Sequence, residues 1–263
     1  MKRIFVIKMS RKNWIREELI VAYNLYCKIP FGKIYAHNPE IINLAKIIGR
    51  TPSAVALKLT NFANLDPELQ KRNIAGMRHG SKSDKEIWNE FHGNWEELAF
   101  ESEILLARFK GEPIEKSAKI DLESLPIEGK DREAIIKARV NQNFFRTAIL
   151  ASYENKCCIT GISIPELLVA SHIIPWSKDE KNRLNPQNGL CLNLLHDKAF
   201  DRGLITITED YEIKLSPELL DYKKNEAVQK FFLPYSDKII SKPKKFLPDK
   251  SFLKYHYENV FRI

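Results

Sequence analysis

Ala170–Gly203, ASHIIPWSKDEKNRLNPQNGLCLNLLHDKAFDRG, constrains the fold of this chain more than any other stretch. The apolar run Leu167–Ile174 reads as a buried strand with His172 near its end. Ser177–Asn188 is a polar loop, and Gly189–Leu194 reads as the second strand of a hairpin. Leu195–Asp201 is a short helical pattern stopped by Gly203. On either side, CITG reads as a tight turn, and LITITEDYEIKL alternates about a Glu-Asp turn as a second hairpin.

This strand–loop–strand–helix unit brings His172, Asn188 and His196 to one face. Those residue types suit phosphodiester hydrolysis, which must deprotonate a water and neutralise charge on the phosphate. A neutral imidazole titrating near neutrality takes the water's proton, so His172 reads as the general base. A divalent metal supplies the second function as Lewis acid. His196 reads as its ligand, Asp201 as a further one, and Asn188 either orients the base through its amide or helps hold the metal. Mixed nitrogen and oxygen donors fit Mg²⁺, Mn²⁺ or another first-row divalent ion.

The rest of the chain supplies the substrate. The net charge is +8, and its excess is uneven. Met1–Gly80 carries fourteen Lys/Arg against five Asp/Glu, so the basic excess lies there, as a nucleic-acid-binding surface requires. A lysine-rich solvated face would have the same composition. Trp14, Ile15, Leu19, Ala22, Tyr23 and Tyr26 recur at helical spacing, and Ile4–Ile7 is a short apolar run of open role. In PEIINLAKIIGRTPSAVALKLTNFANLD, Pro39 opens a helix that Gly49 ends, and Thr51 caps a second helix with Pro52 at its first position. Two helices about a tight turn make a helix-turn-helix-like unit, whose second helix enters a DNA major groove. Arg50, Thr51, Ser53, Lys58 and Asn61 are its expected exposed contacts, although a plain helical hairpin has the same pattern.

The basic segment Lys71–Asp84 reads as a loop, and Glu86–Phe109 as a helix with Trp88, Phe91, Trp95, Leu98, Ile104 and Leu105 in a core. Gly111, Pro113, Pro126 and Gly129 mark residues 111–130 as a linker between a helical domain at 1–110 and a second domain at 131–263 with its core at about 153–208. Asp131–Ser152 is a strong helix with Arg139, Gln142 and Arg146 on one stripe, available to a phosphate backbone or to water. The C-terminal aromatics read as packing back on the second domain, with His256 structural. Four cysteines without disulfide spacing read as reduced thiols. No run suits a signal peptide or a membrane span, so the expected setting is cytoplasmic.

Arg139–Ile207, with KARVNQNFFRTAIL, CCITG, SHIIPW, NPQNGLCL, LHDKAFDRG and LITI, resembles the HNH endonucleases of the ββα-metal fold. More narrowly, it is similar to a bacterial restriction-endonuclease branch. The resemblance implies an α+β chain: an all-helical helix-turn-helix-like domain followed by a ββα-metal nuclease domain. It implies a base at His172, the central asparagine at Asn188 and the last histidine at His196. Where many relatives have an aspartate or histidine before the base, this chain has Ser171. Many also carry paired CxxC zinc sites; here Cys157 and Cys158 are adjacent and Cys191 stands alone, so all three read as core thiols. The implied activity is metal-dependent cleavage of double-stranded DNA in a restriction-type defence role. A homodimer and a cognate methyltransferase are candidate partners. A DNA-binding regulator with a degenerate nuclease domain and an RNA-directed HNH nuclease are the rival readings.

Overall fold

The computed structural model describes residues 13–72, 80–121 and 129–263. Ile4–Ile7, the middle of the basic segment after Lys71 and part of the expected linker lie outside the described residues.

The helical half begins with α1 (Arg16–Lys28). Next come α2 (Pro39–Ile47) and α3 (Pro52–Leu65), the expected pair. Local chemistry sets both starts. Asn38 accepts from the Glu40 N–H and Thr51 from the Ala54 N–H, with a proline in each first turn. Gly49 takes a left-handed φ of 66° between them. Then follow α4 (Pro67–Lys71), α5 (Lys82–Phe91), α6 (Trp95–Lys110) and α7 (Ile114–Ser117). The helix expected over Glu86–Phe109 is therefore two helices. Gly93, at φ 94°, turns the chain between them, and Ile104 faces solvent rather than the core.

α8 (Lys130–Ser152) is shared. One side packs on α1 and α6, the other on the hairpin β1 (Leu168–His172) and β2 (Gly189–Asn193). The hairpin is antiparallel, with Leu168 opposite Asn193 and His172 opposite Gly189. α9 (Leu194–Asp201) leaves β2 directly, and β3 (Ile205–Ile207) pairs antiparallel with β4 (Ile213–Leu215). α10 (Pro217–Asp221), α11 (Glu226–Phe231) and α12 (Lys250–Asn259) complete an α+β chain. Among the described residues, no helix is long and apolar enough to cross a membrane.

Beside several main-chain hydrogen bonds, Lys245 and Gly203 tie the C-terminal segment to the rest. The buried Lys245 ammonium donates to the Tyr26 carbonyl and to that of Ile29 at 2.8 Å, occupying acceptors left over at the end of α1. Burial pulls its pKa down to about 8. At Gly203, φ is 67° and a Cβ would lie 2.0 Å from the Val260 carbonyl oxygen, so only glycine lets the last residues close over the end of α9. His256 is buried as expected, stacked on Phe200 with ring centroids 3.6 Å apart.

Candidate active site

His172 is set from three sides. Phe145 of α8 stacks on its ring at 4.0 Å and 7°. That approach depends on Gly189 across the hairpin, where a Cβ would meet Phe145 Cζ at 2.9 Å and Ile149 Cδ1 at 2.3 Å. Trp176 meets the imidazole at 84° with centroids 5.4 Å apart. On the third side, Nε2 lies 2.9 Å from the Arg183 carbonyl oxygen. A carbonyl only accepts, so Nε2 carries the proton and Nδ1 is left with a lone pair. Burial pushes the imidazole's pKa down; the Arg183 bond and Asp197 oppose it. The ring is thus held neutral near pH 7, in one tautomer, able to accept a proton at Nδ1.

Asn188 delivers that carbonyl. Its Oδ1 accepts from the Ile174 N–H at 2.8 Å, and its Nδ2 donates to the Ile174 and Asn182 carbonyls at 3.3 and 3.2 Å. The side chain is 1% exposed and staples the two ends of the 177–188 loop. Its oxygen is thus taken by the main chain rather than offered to a metal, which leaves the other role read from sequence, orienting the base, acting through the loop. The reason is local: two main-chain partners satisfy an amide that would otherwise be buried bare.

His196 also departs from expectation. It is 2% exposed, its Nε2 lies 3.0 Å from the Phe231 carbonyl and its Nδ1 3.1 Å from Asn193 Oδ1. Phe232 and Tyr235 pack on the ring. Nε2 donates to the Phe231 carbonyl while Nδ1 faces an oxygen that only accepts, and the residue does not line the cleft beside His172. It anchors α9 to the segment after α11. Asn193 completes the anchor, capping α9 through the Leu195 and His196 N–H groups.

That cleft holds about 500 Å³ and is bordered by Ser171, His172, Trp176, Asp197, Asp201 and the cations Lys198 and Arg202. Asp197 and Asp201 stand one turn apart on α9, so both face the opening. Burial raises the pKa of each. Asp197 adds to the effect on Asp201, while the Ser171 hydroxyl nearby pulls Asp197 back. That hydroxyl is buried without a full hydrogen bond of its own. Asp201 was expected and Asp197 was missed, although its four-residue offset from Asp201 was a usable signal.

Residues 157–208 match the family model of HNH endonucleases. The HNH segment spans both strands of the hairpin, α9 and β3, and stops short of α8 and the whole helical half. That family is one of nucleases, which generally use a divalent metal ion. A comparison with curated proteins gave no match. Among the described residues, no three His, Cys, Asp or Glu side chains gather closely enough to hold a metal alone. The donor set still fits a hard ion. Mg²⁺ keeps several waters and is commonly held by one or two carboxylates plus substrate phosphate, and Asp197 and Asp201 could supply those carboxylates.

The expected DNA contacts divide. Arg50 pairs with Glu18 at 2.6 Å with its side chain 8% exposed. Lys58 pairs with Asp84 at 2.6 Å, and Asn61 donates to the same carboxylate at 3.0 Å. These three are turned inward, which corrects the expectation of an exposed cationic helix face; Thr51 and Ser53 remain exposed. Arg139, Gln142 and Arg146 are exposed on α8, and Arg146 also donates to the Leu168 carbonyl at 2.8 Å. Gln142 and Arg146 border a second depression of about 240 Å³ that shares His172 and Trp176 with the first. The two form one groove.

Proposed function

We propose that the chain is a divalent-metal-dependent endonuclease of restriction type, acting on double-stranded DNA with His172 as general base. The observation that carries this reading is the fixed tautomer of His172, its Nδ1 lone pair without a partner among the described residues, in a groove that also holds Asp197 and Asp201. In the reaction, His172 Nδ1 takes a proton from the attacking water. Phe145 and the Arg183 carbonyl keep the imidazole from turning, and Asn188 positions it through the loop. Asp197 and Asp201 would hold Mg²⁺ or Mn²⁺, which when bound stabilises negative charge on the phosphate and the leaving oxygen. Lys198 and Arg202 attract the phosphate backbone at one end of the groove, as do Arg139 and Arg146 beside its other end. Gln142 sits among them as a hydrogen-bonding partner. Thr51 and Ser53 are the helix-turn-helix positions still open to DNA. The restriction-type role rests on the resemblance of the sequence, and a homodimer would supply the second cut.

Plasmid DNA incubated with the protein and a panel of divalent ions tests the reading. Wild type nicks or linearises the plasmid. His172→Ala loses about 10²–10⁴-fold in rate while its unfolding midpoint stays near that of wild type. Equal cutting by the two proteins, no cutting with any ion, or preferential cutting of RNA would overturn it.

A further inference from the structure

We infer that Trp176 is a stacking platform for the base of one unstacked nucleotide beside the scissile phosphate; this rests on the nuclease reading above. Trp88 and Trp95 are 7% and 5% exposed and belong to the core. Trp176 is 37% exposed and borders both parts of the groove, so its indole stands where they meet.

The ring is held, not loose. The Arg183 guanidinium lies 5.2 Å from its centroid, and Arg183 Nε donates to the Trp176 carbonyl at 2.8 Å. The imidazole of His172 abuts it at 84°. A tight turn, with the Lys178 N–H bonded to the Pro175 carbonyl at 2.8 Å, fixes its backbone. Arg183 lies over one face of the indole, and a rigid aromatic ring that is still partly exposed to the groove suits a planar ligand group. Where the groove's other features serve phosphates, that group is a nucleobase.

A base inside an intact duplex has both faces covered by its neighbours, so it reaches such a platform only after leaving the stack. The platform therefore favours DNA that is already locally unpaired. Stacking tolerates any base, so the preference is for structure and not for sequence.

Two duplexes of one sequence test this, one fully paired and one with a short unpaired bubble. Wild type should cut the bubble duplex about tenfold faster, Trp176→Leu should cut both at one rate, and Trp176→Phe should keep most of the preference. The indole side chain is removed in these variants while the main-chain carbonyl that Arg183 uses remains. Binding is read separately in EDTA, where no metal is present. Wild type should quench 2-aminopurine placed in the bubble, and Trp176→Leu should not. Equal wild-type rates on the two duplexes, or an unchanged ratio or unchanged quenching in Trp176→Leu, would overturn the platform. Failure of wild type to cut either duplex with any ion instead sinks the nuclease reading, while the quenching still reports on Trp176.

Discussion

In α3, Lys58 and Asn61 close on Asp84 at 2.6 and 3.0 Å, and Asp84 also takes the Ser81 N–H at 3.0 Å. In α9, Asp197 and Asp201 form no ion pair among the described residues, although Lys198 and Arg202 stand beside them. Both are short helices with polar side chains at three- and four-residue spacing. In the first, every charge has an opposite charge inside the fold, so the cluster is complete without a ligand. In the second, two carboxylates that form no ion pair among the described residues share a groove, and that incompleteness marks a site more firmly than charge does. The comparison also reaches the basic excess of the first 80 residues. Arg16, Arg50, Lys58 and Lys71, four of the fourteen basic residues there, pair with carboxylates, so part of a composition suited to DNA is an internal balance.

Removing one partner of the completed cluster breaks the comparison most sharply. Lys58→Ala leaves a fully buried carboxylate uncompensated, and unfolding in urea should show a loss of about 3–5 kcal/mol. DNA affinity, measured where the variant is still folded, should not change. A variant that keeps its stability and loses DNA binding would return α3 to the role first expected of it.

A third kind of polar group, neither paired with a charge nor open to a groove, is His256. It is 1% exposed, with Nδ1 2.8 Å from Thr206 Oγ1 and Nε2 3.1 Å from the Phe200 carbonyl. Burial pushes its pKa down from 6.5 to about 4, against the raising effect of the Phe200 bond. Between those values the unfolded chain binds the extra proton and the folded one does not. Its contribution is therefore full above pH 6.5 and is lost as pH falls toward 4, up to about 3 kcal/mol. His92, His172 and His196 are shifted in the same direction, so the measurement is the difference between the pH–stability curves of wild type and His256→Gln. Parallel curves would mean that His256 protonates without cost in the folded state.

These cases show what was legible. Helix starts at Pro39 and Thr51, the stops at Gly49 and Gly203, and both hairpins were readable because each depends on neighbours a few residues away. The place of His172 at the end of β1 was readable from the apolar run around it, whereas its role as base is a proposal. The partners of His196 and Asn188 were not readable because they are settled by tertiary structure: Phe231 lies 35 residues from His196 in sequence. Lys245 reaches the Ile29 carbonyl across 216 residues, and nothing near it in sequence foretells that contact. Asp197 was overlooked beside the more conspicuous His196, since residue type alone does not say which side of α9 meets the groove.

Gly189 joins packing to site geometry, and its substitution separates them with the smallest expected change in stability. A Cβ there meets Ile149 Cγ1 at 2.7 Å and the Phe145 ring at 2.9 Å, and the ring is the surface on which His172 rests. Ile149 can give by a rotamer change, whereas Phe145 can give only by shifting its whole ring, which carries the imidazole with it. Gly189→Ala should thus cost about 1–3 kcal/mol in urea unfolding, as overpacking does elsewhere. The cleavage rate per folded molecule should fall by about tenfold or more, because a misplacement near 1 Å at a general base is enough for that. A fall in stability with an unchanged rate would show that His172 is held by the Arg183 carbonyl alone, and that the stack on Phe145 contributes packing rather than aim.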